Sequence, residues 1–212
     1  MTQIAWVMLA ASVAIAAVDW FAVARDNPRL RWVTKPGTIL LLIGVTLALH
    51  PASNAQRYTF VLALLLCLVG DAVLLLGERG FGAGLAAFLA GHLVFCAGFV
   101  IGGVNPALLV YAGIAVGIVS LAVGGRIMRS LMQTGSGAMS LPVAAYLLAL
   151  AAMVALGAAT GRPAAFAGAA LSYVSDGLIA WDRFVRPLPR SPLPVIITYH
   201  IGQALLVLSL VS

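Results

Sequence analysis

The sequence predicts an all-α, polytopic integral membrane protein with about eight transmembrane helices, and three observations support that. Of its 212 residues, 63% are hydrophobic and 8% charged, with a mean hydropathy of +1.10. A water-soluble domain of this length has no interior large enough for so much apolar surface. The apolar residues run in blocks near the ~20 residues that a helix needs to cross a bilayer. Within the blocks Leu, Ala, Val and Gly follow one another without the alternation of a membrane β-barrel, so helices remain as the way to satisfy the backbone in lipid.

The first block, residues 3–24, has no basic segment ahead of it and is long enough to span, so it reads as a transmembrane helix and not a cleaved signal. A second, shorter span is placed at 35–50, opened by Lys35 at the cytoplasmic edge. Spans at 57–77 and 80–102 follow. In the latter, Ala83, Ala87 and Gly91 recur every four residues as a small face for close helix packing. The remaining spans are placed at 105–124, 138–160, 163–182 and 192–211. The whole, residues 1–212, reads as a single transmembrane helical domain.

Eleven Arg and one Lys give a net charge of +6. They cluster in short connections, which favours topology and lipid headgroups over a nucleic-acid partner. Arg25, Arg29, Arg31, Lys35, Arg79, Arg126, Arg129, Arg183, Arg186 and Arg190 fall on one side, and only Arg57 and Arg162 on the other. Ten against two places the basic loops in the cytoplasm and both termini outside. The high ratio of Arg to Lys suggests a high-GC genome and a bacterial inner membrane. Cys67 and Cys96 lie in adjacent spans at different depths and read as buried free thiols.

Six acidic residues occur in the chain, and two of them, Asp71 in LVGDAVLLL and Asp176 in LSYVSDGLIA, lie deep in apolar runs. A charge at the centre of a membrane helix costs about 2.5–3.5 kcal/mol on insertion scales, so such a residue is functional by default. Counting from the ends of their spans puts both carboxylates roughly 9 Å below the same boundary. They share one cavity if helices three and seven are neighbours. Ser172 and Ser175 accompany Asp176, and Tyr199, His200 and Gln203 cluster on helix eight. His92 lies on helix four and Tyr146 on helix six. A lone His or Gln in a bundle commonly hydrogen-bonds across helices. Lys35 suits either a topology or a headgroup role, and Asp19 either a site or a pairing with Arg25 or Arg29. Gly70-Asp71-Ala72-Val73-Leu74 also matches Ser175-Asp176-Gly177-Leu178-Ile179, each with a His on the next helix, which suggests a parallel four-helix repeat.

Taken in order, these residues resemble the YhhN family of eight-span membrane proteins, which includes the lysoplasmalogenases. The resemblance runs from Lys35-Pro36 through Gly70-Asp71 with Leu74-Leu75, and Phe88-x-x-x-His92-x-x-Phe95. It continues through Tyr146 and Met153, Gly168-Ala169, Ser175-Asp176 with Ala180, Phe184, and Tyr199-x-x-x-Gln203. Phe95 stands where the family often has Tyr, and Ser172 where an aromatic is usual. The resemblance implies hydrolysis of the vinyl ether bond of a lysoplasmalogen to a fatty aldehyde and a glycerophospho-base. The partners it implies are a lysophospholipid substrate and membrane lipids, with no metal or other cofactor.

Vinyl ether cleavage protonates the β-carbon to give an oxocarbenium ion that water then captures, work for one protonated and one ionised carboxyl. Glycosidases meet a related cation with the same pair. The reading here takes Asp71 and Asp176 as catalytic, with Asp71, in drier surroundings, as proton donor and Asp176, beside Ser172 and Ser175, as base. Lys35, His92, Tyr146, Ser175, Tyr199, His200 and Gln203 are taken as substrate-binding, with Lys35, Arg183 and Arg186 as a basic rim for the phosphate.

Two rival classes also use intramembrane acids. An intramembrane aspartyl protease would need Gly at position 68 and Tyr before the second aspartate, where this chain has Leu68 and Ser175. A proton-coupled transporter or lipid-binding bundle fits the acids and the repeat. Against it, helices three and seven have no obvious mid-span Gly/Pro break.

Overall fold

Short polar caps and prolines set where the helices begin. In the computed structural model, which describes residues 2–134, 137–190 and 192–211, α1 (Gln3–Ala24) starts behind Thr2, whose hydroxyl accepts the Ala5 N–H at 3.1 Å. Asn27 and Ser53 cap α2 (Pro28–Ala48) and α3 (Asn54–Leu74) in the same way, each satisfying a donor that the first turn leaves open. A 3₁₀ turn, Gly77–Gly80, leads into α4 (Phe81–Gly102). Asn105 caps α5 (Pro106–Gln133), and a second 3₁₀ turn, Gly137–Met139, precedes α6 (Ser140–Ala159). The last two helices are α7 (Pro163–Phe184) and α8 (Pro192–Leu208). Four of these helices open on proline, whose missing N–H costs nothing at a first helical position. Gly103 and Gly161, at φ +92° and +71°, take positive-φ conformations just past α4 and α6, which cost glycine no Cβ clash.

The eight-helix, all-α expectation holds. Seven helices are long and apolar enough to cross a membrane, and α8, apolar over 17 residues, reaches the lower end of the spanning range. The protein is an integral membrane protein.

Two boundaries differ from expectation. The second helix begins at Pro28 and not at Lys35, because Asn27-Pro28 supplies the cap and first-turn proline, while Pro36 is tolerated inside the helix. Lys35 therefore sits well within α2 and is 8% exposed, not at a membrane edge. The fifth helix runs on to Gln133, so Arg126 and Arg129 lie on its final turns and not in a loop. Long basic side chains can keep their apolar stems on a helix while the charge reaches water.

Six helices pack in a cycle: α2 on α3, α3 on α4, α4 on α6, α6 on α7, α7 on α8, and α8 back on α2. Outside this cycle α1 lies against α2 and α8, and α5 against α6 and α7. Helices three and seven thus face each other across the centre and are not packed neighbours, so a cavity shared by their two acids does not need them to be. Within the six-helix cycle the two sequence halves use the same pattern of helix pairing, as a four-helix repeat requires, but the outer helices differ, since α1 reaches α8 and α5 reaches α7.

Glycines set the tightest approaches. On α4 the packing face is Gly84, Gly91 and Gly98, whose added Cβ atoms would lie 2.7 Å from Leu74 Cδ2, 3.0 Å from Cys67 Sγ and 2.6 Å from Phe60 Cε2. Of the expected face Gly91 takes part, Ala87 is half-buried and Ala83 is exposed. Seven-residue spacing follows the 3.5-residue period of near-parallel helix contacts, which a strict four-residue step leaves. On α7, a Cβ at Gly168 would meet the backbone of α8, 2.8 Å from Leu206 N and 2.9 Å from Gly202 O. Because backbone cannot rotate aside, Gly168→Ala should cost about 1–3 kcal/mol, read as a lower thermal unfolding midpoint in detergent. Gly117→Ala on α5, with nothing within 4 Å of the new Cβ, should leave that midpoint unchanged.

Candidate active site

A polar cluster fills the centre of the six-helix cycle, in the half of the bundle that holds the α1–α2, α3–α4, α5–α6 and α7–α8 connections. Asp71, fully buried on the last turn of α3, is met by Lys35 of α2, with Nζ 2.9 Å from Oδ1. The Tyr199 hydroxyl of α8 donates to its Oδ2 at 2.8 Å. The Lys35 ammonium also sits 5.8 Å from the centre of the Tyr199 ring, so cation, phenol and carboxylate form one compact unit.

Asp176 of α7 has a different set of neighbours. The Tyr146 hydroxyl of α6 donates to its Oδ2, and His92 Nε2 of α4 lies 3.7 Å from the same oxygen. The His92 ring meets Tyr146 edge-on, with centroids 5.4 Å apart. Among the described residues, Lys35 is the only Lys or Arg within 4.0 Å of either carboxylate. The two acids are thus chemically unlike: one is ion-paired, and the other is held by a phenol and approached by an imidazole.

Both carboxylates open into a cavity of about 70 Å³. Lys35, Tyr146, Ser175 and Tyr199 line it with them, and the rest of the wall is apolar, including Leu74, Leu85, Phe88, Leu147, Ile179 and Ile196. At the cavity's outer end stand Phe81, which opens α4, and Phe184, which closes α7. Their rings meet edge-on at 6.3 Å. Arg183 lies 3.7 Å over the Phe81 ring and donates to both carboxylate oxygens of Glu78, at 2.9 and 2.7 Å. The cavity's lining is that of small-molecule sites, mostly apolar with a few convergent polar groups, while its volume is below the roughly 300–1,000 Å³ such sites usually have.

Six of the nine residues singled out from sequence line this cavity: Asp71, Asp176, Lys35, Tyr146, Ser175 and Tyr199. His92 stands behind it against Asp176. Gln203 lies elsewhere, with its amide donating to Cys67 Sγ at 3.8 Å. His200 faces α1, where its Nδ1 accepts the Trp20 indole N–H at 3.2 Å. Ser172 and Ser175 do not support Asp176, because their hydroxyls donate to the Gly168 and Val195 carbonyls, each at 3.0 Å. In a membrane helix that is the nearest acceptor for a hydroxyl. Nor is Lys35 a rim residue. The aromatic mouth of Phe81 and Phe184 was not singled out from sequence, since aromatics at helix ends also mark the lipid–water interface.

The sequence profile of the YhhN family matches residues 30–210. This chain belongs to the YhhN family. Lysoplasmalogenase TMEM86B of Homo sapiens is 36% identical over 195 residues, which cover 90% of this chain and 80% of the human protein. Lysoplasmalogenase TMEM86B of Rattus norvegicus is 36% identical over 189 residues, 88% of this chain and 76% of the rat protein. Lysoplasmalogenase TMEM86A of Bos taurus is 29% identical over 174 residues, 77% of this chain and 68% of its own length. No solved structure matches the chain. In this YhhN protein the profile takes in every residue of the polar cluster from Lys35 to Gln203.

The ion pair sets a clear expectation for stability. Lys35→Met removes the cation and leaves the Asp71 charge buried without it, at a cost of about 3–5 kcal/mol. Adding Asp71→Asn to Lys35→Met should restore most of the lost thermal midpoint.

Proposed function

We propose that this YhhN protein is a membrane-embedded hydrolase that cleaves the vinyl ether bond of lysoplasmalogens, giving a fatty aldehyde and a glycerophospho-base. The observation that carries the reading is a pair of unlike carboxylates sharing one apolar cavity, in a chain 36% identical to a lysoplasmalogenase over 90% of its length. That relationship also weighs against the transporter and protease readings.

The proposed chemistry assigns the two aspartates by their partners, which reverses the expectation from sequence. Asp71, with an ammonium and a phenol as donors, carries the negative charge. Asp176, with no Lys or Arg beside it, is the proton donor. It delivers a proton to the β-carbon of the alkenyl ether, and the electron pair of the double bond forms the new C–H bond. The resulting oxocarbenium ion is steadied by the Asp71 carboxylate. Water adds to the cationic carbon and gives its proton back to Asp176. The neutral hemiacetal then breaks its bond to the glycerol oxygen, which takes up the hydroxyl proton as the aldehyde forms. Tyr146 and His92 hold the Asp176 carboxyl in place.

The alkenyl chain lies along the apolar wall, and the headgroup phosphate reaches the mouth, where it competes with Glu78 for Arg183. Basic connections face the cytoplasm and the termini face outside, in the inner membrane of a bacterium. A single cysteine placed at Ser53 should then react with a membrane-impermeant maleimide on intact cells, and one at Arg186 only after lysis. Reversed labelling would overturn that orientation.

Purified protein in detergent should release aldehyde from lysoplasmalogen. Asp176→Asn and Asp71→Asn, each shown to be folded, should lower the rate by roughly 10²-fold or more. A folded wild-type protein that releases no aldehyde would sink the hydrolase reading, and full activity in Asp176→Asn would sink the assignment of the donor.

A further inference from the structure

The remaining buried acid, Asp19, belongs to neither carboxylate's immediate surroundings. It lies on α1, outside the six-helix cycle and before the part of the chain that the family profile matches. It is fully buried, yet its partner is neither Arg25 nor Arg29. The Thr34 hydroxyl of α2 lies 2.6 Å from Asp19 Oδ1, and Arg31 Nε lies 4.0 Å from the same oxygen. The Thr34 hydroxyl is also 3.0 Å from Leu30 O. A hydroxyl has one proton, and the shorter contact to the carboxylate is the stronger use of it.

The next residue on α1 makes the second contact. Trp20 donates its indole N–H to His200 Nδ1 of α8. Thr34 precedes Lys35 in sequence, and His200 follows Tyr199. Two consecutive residues of α1 therefore grip the neighbours of the two groups that hold Asp71. Thr34 is 6% exposed and His200 3%, so neither bond is a loose surface contact.

We propose that Asp19 and Trp20 are positioning residues for the Asp71 site: Asp19 fixes the rotation of α2 that aims Lys35, and Trp20 fixes the rotation of α8 that aims Tyr199. A helix rotated by a few degrees swings a side chain as long as lysine by a sizeable fraction of an ångström. Misplacement on that scale is enough to slow a reaction that depends on fixed charge. The arrangement also accounts for a buried carboxylate on a peripheral helix, where packing alone favours an apolar residue.

The inference rests on the hydrolase reading where it concerns turnover, so its test has one arm that needs no turnover. Thr34→Val and Trp20→Phe remove one hydrogen bond each; the first keeps the side-chain shape and the second keeps an aromatic ring. Each should lower kcat for aldehyde release roughly tenfold with KM little changed. Asp19→Asn, which keeps an oxygen for the Thr34 hydroxyl, should retain more activity than Asp19→Ala. The two arms of the clamp should also separate in double-mutant cycles. Thr34→Val should have no further effect once Lys35 is Met, and Trp20→Phe none once Tyr199 is Phe, whereas the crossed pairs should add.

The turnover-free arm is the infrared carboxylate band of Asp71, identified as the band lost in Asp71→Asn. It should shift in both Thr34→Val and Trp20→Phe and stay fixed in Gly117→Ala. A band unmoved in both variants overturns the clamp whether or not the protein turns over lysoplasmalogen. With an active wild type, equal additivity in every background overturns it as well. An inactive wild type with a shifted band would overturn the hydrolase reading and leave the clamp supported.

Discussion

Placing a charge inside a membrane bundle is costly enough that the rest of the structure must be arranged around it. Here that charge is shared between Lys35 and Asp71, 2.9 Å apart at the centre of the six-helix cycle. An isolated carboxylate or ammonium at that depth would neutralise or draw in water, but here the two charges offset each other and the Tyr199 hydroxyl donates to the second oxygen. The pair ties α2 to α3, and the tyrosine ties α8 to both. These are connections across the bundle interior that apolar packing does not specify, because lipid tails are as apolar as leucine.

The second carboxylate follows the same plan with different chemistry. Asp71 on α3 is held from α2 and α8, while Asp176 on α7 is met from α6 and α4. If α1–α4 is laid over α5–α8, each acid takes one partner from the preceding helix of its own half and one from the last helix of the other half. The repeat suggested by two short sequence matches thus has a counterpart in how the acids are held. The partners at the two corresponding places differ: lysine stands where the other half has tyrosine, and tyrosine where it has histidine. That difference makes one carboxylate an ion-pair member and leaves the other without a Lys or Arg beside it, as the proposed acid and counter-charge need. The histidines that first suggested the repeat do not serve as equivalents, since His92 approaches Asp176 while His200 bonds Trp20 of α1.

Much of the site was legible because the signals were chemical and rare. With six acids in the chain, two in apolar runs stand out, and Tyr146, Tyr199 and Lys35 are scarce polar groups on spans otherwise filled with Ala, Leu and Val. What could not be read was direction. Ser172 and Ser175 were near Asp176 in sequence, but helix hydroxyls turn back to their own or a neighbouring backbone carbonyl. Lys35 looked like an edge residue because Pro36 imitates a helix start. Trp20 and Thr34 gave no signal, since an indole and a threonine hydroxyl are ordinary residues in a membrane span.

The sequence by itself determined the number of helices, their approximate limits, and which two acids lie within apolar spans. Those features depend on hydrophobic length, on proline and asparagine at helix starts, and on a rise of about 1.5 Å per residue. Tertiary structure alone decided which face of each helix turns inward and which group meets which acid. Tyr199 and Asp71 are 128 positions apart, and Tyr146 and Asp176 are 30 apart. In water a hydrophobic stripe would have marked the inward faces in advance. Between lipid and a protein interior of similar polarity there is no such stripe, so the partners are chosen by close glycine contacts and by the few polar groups that must find one another.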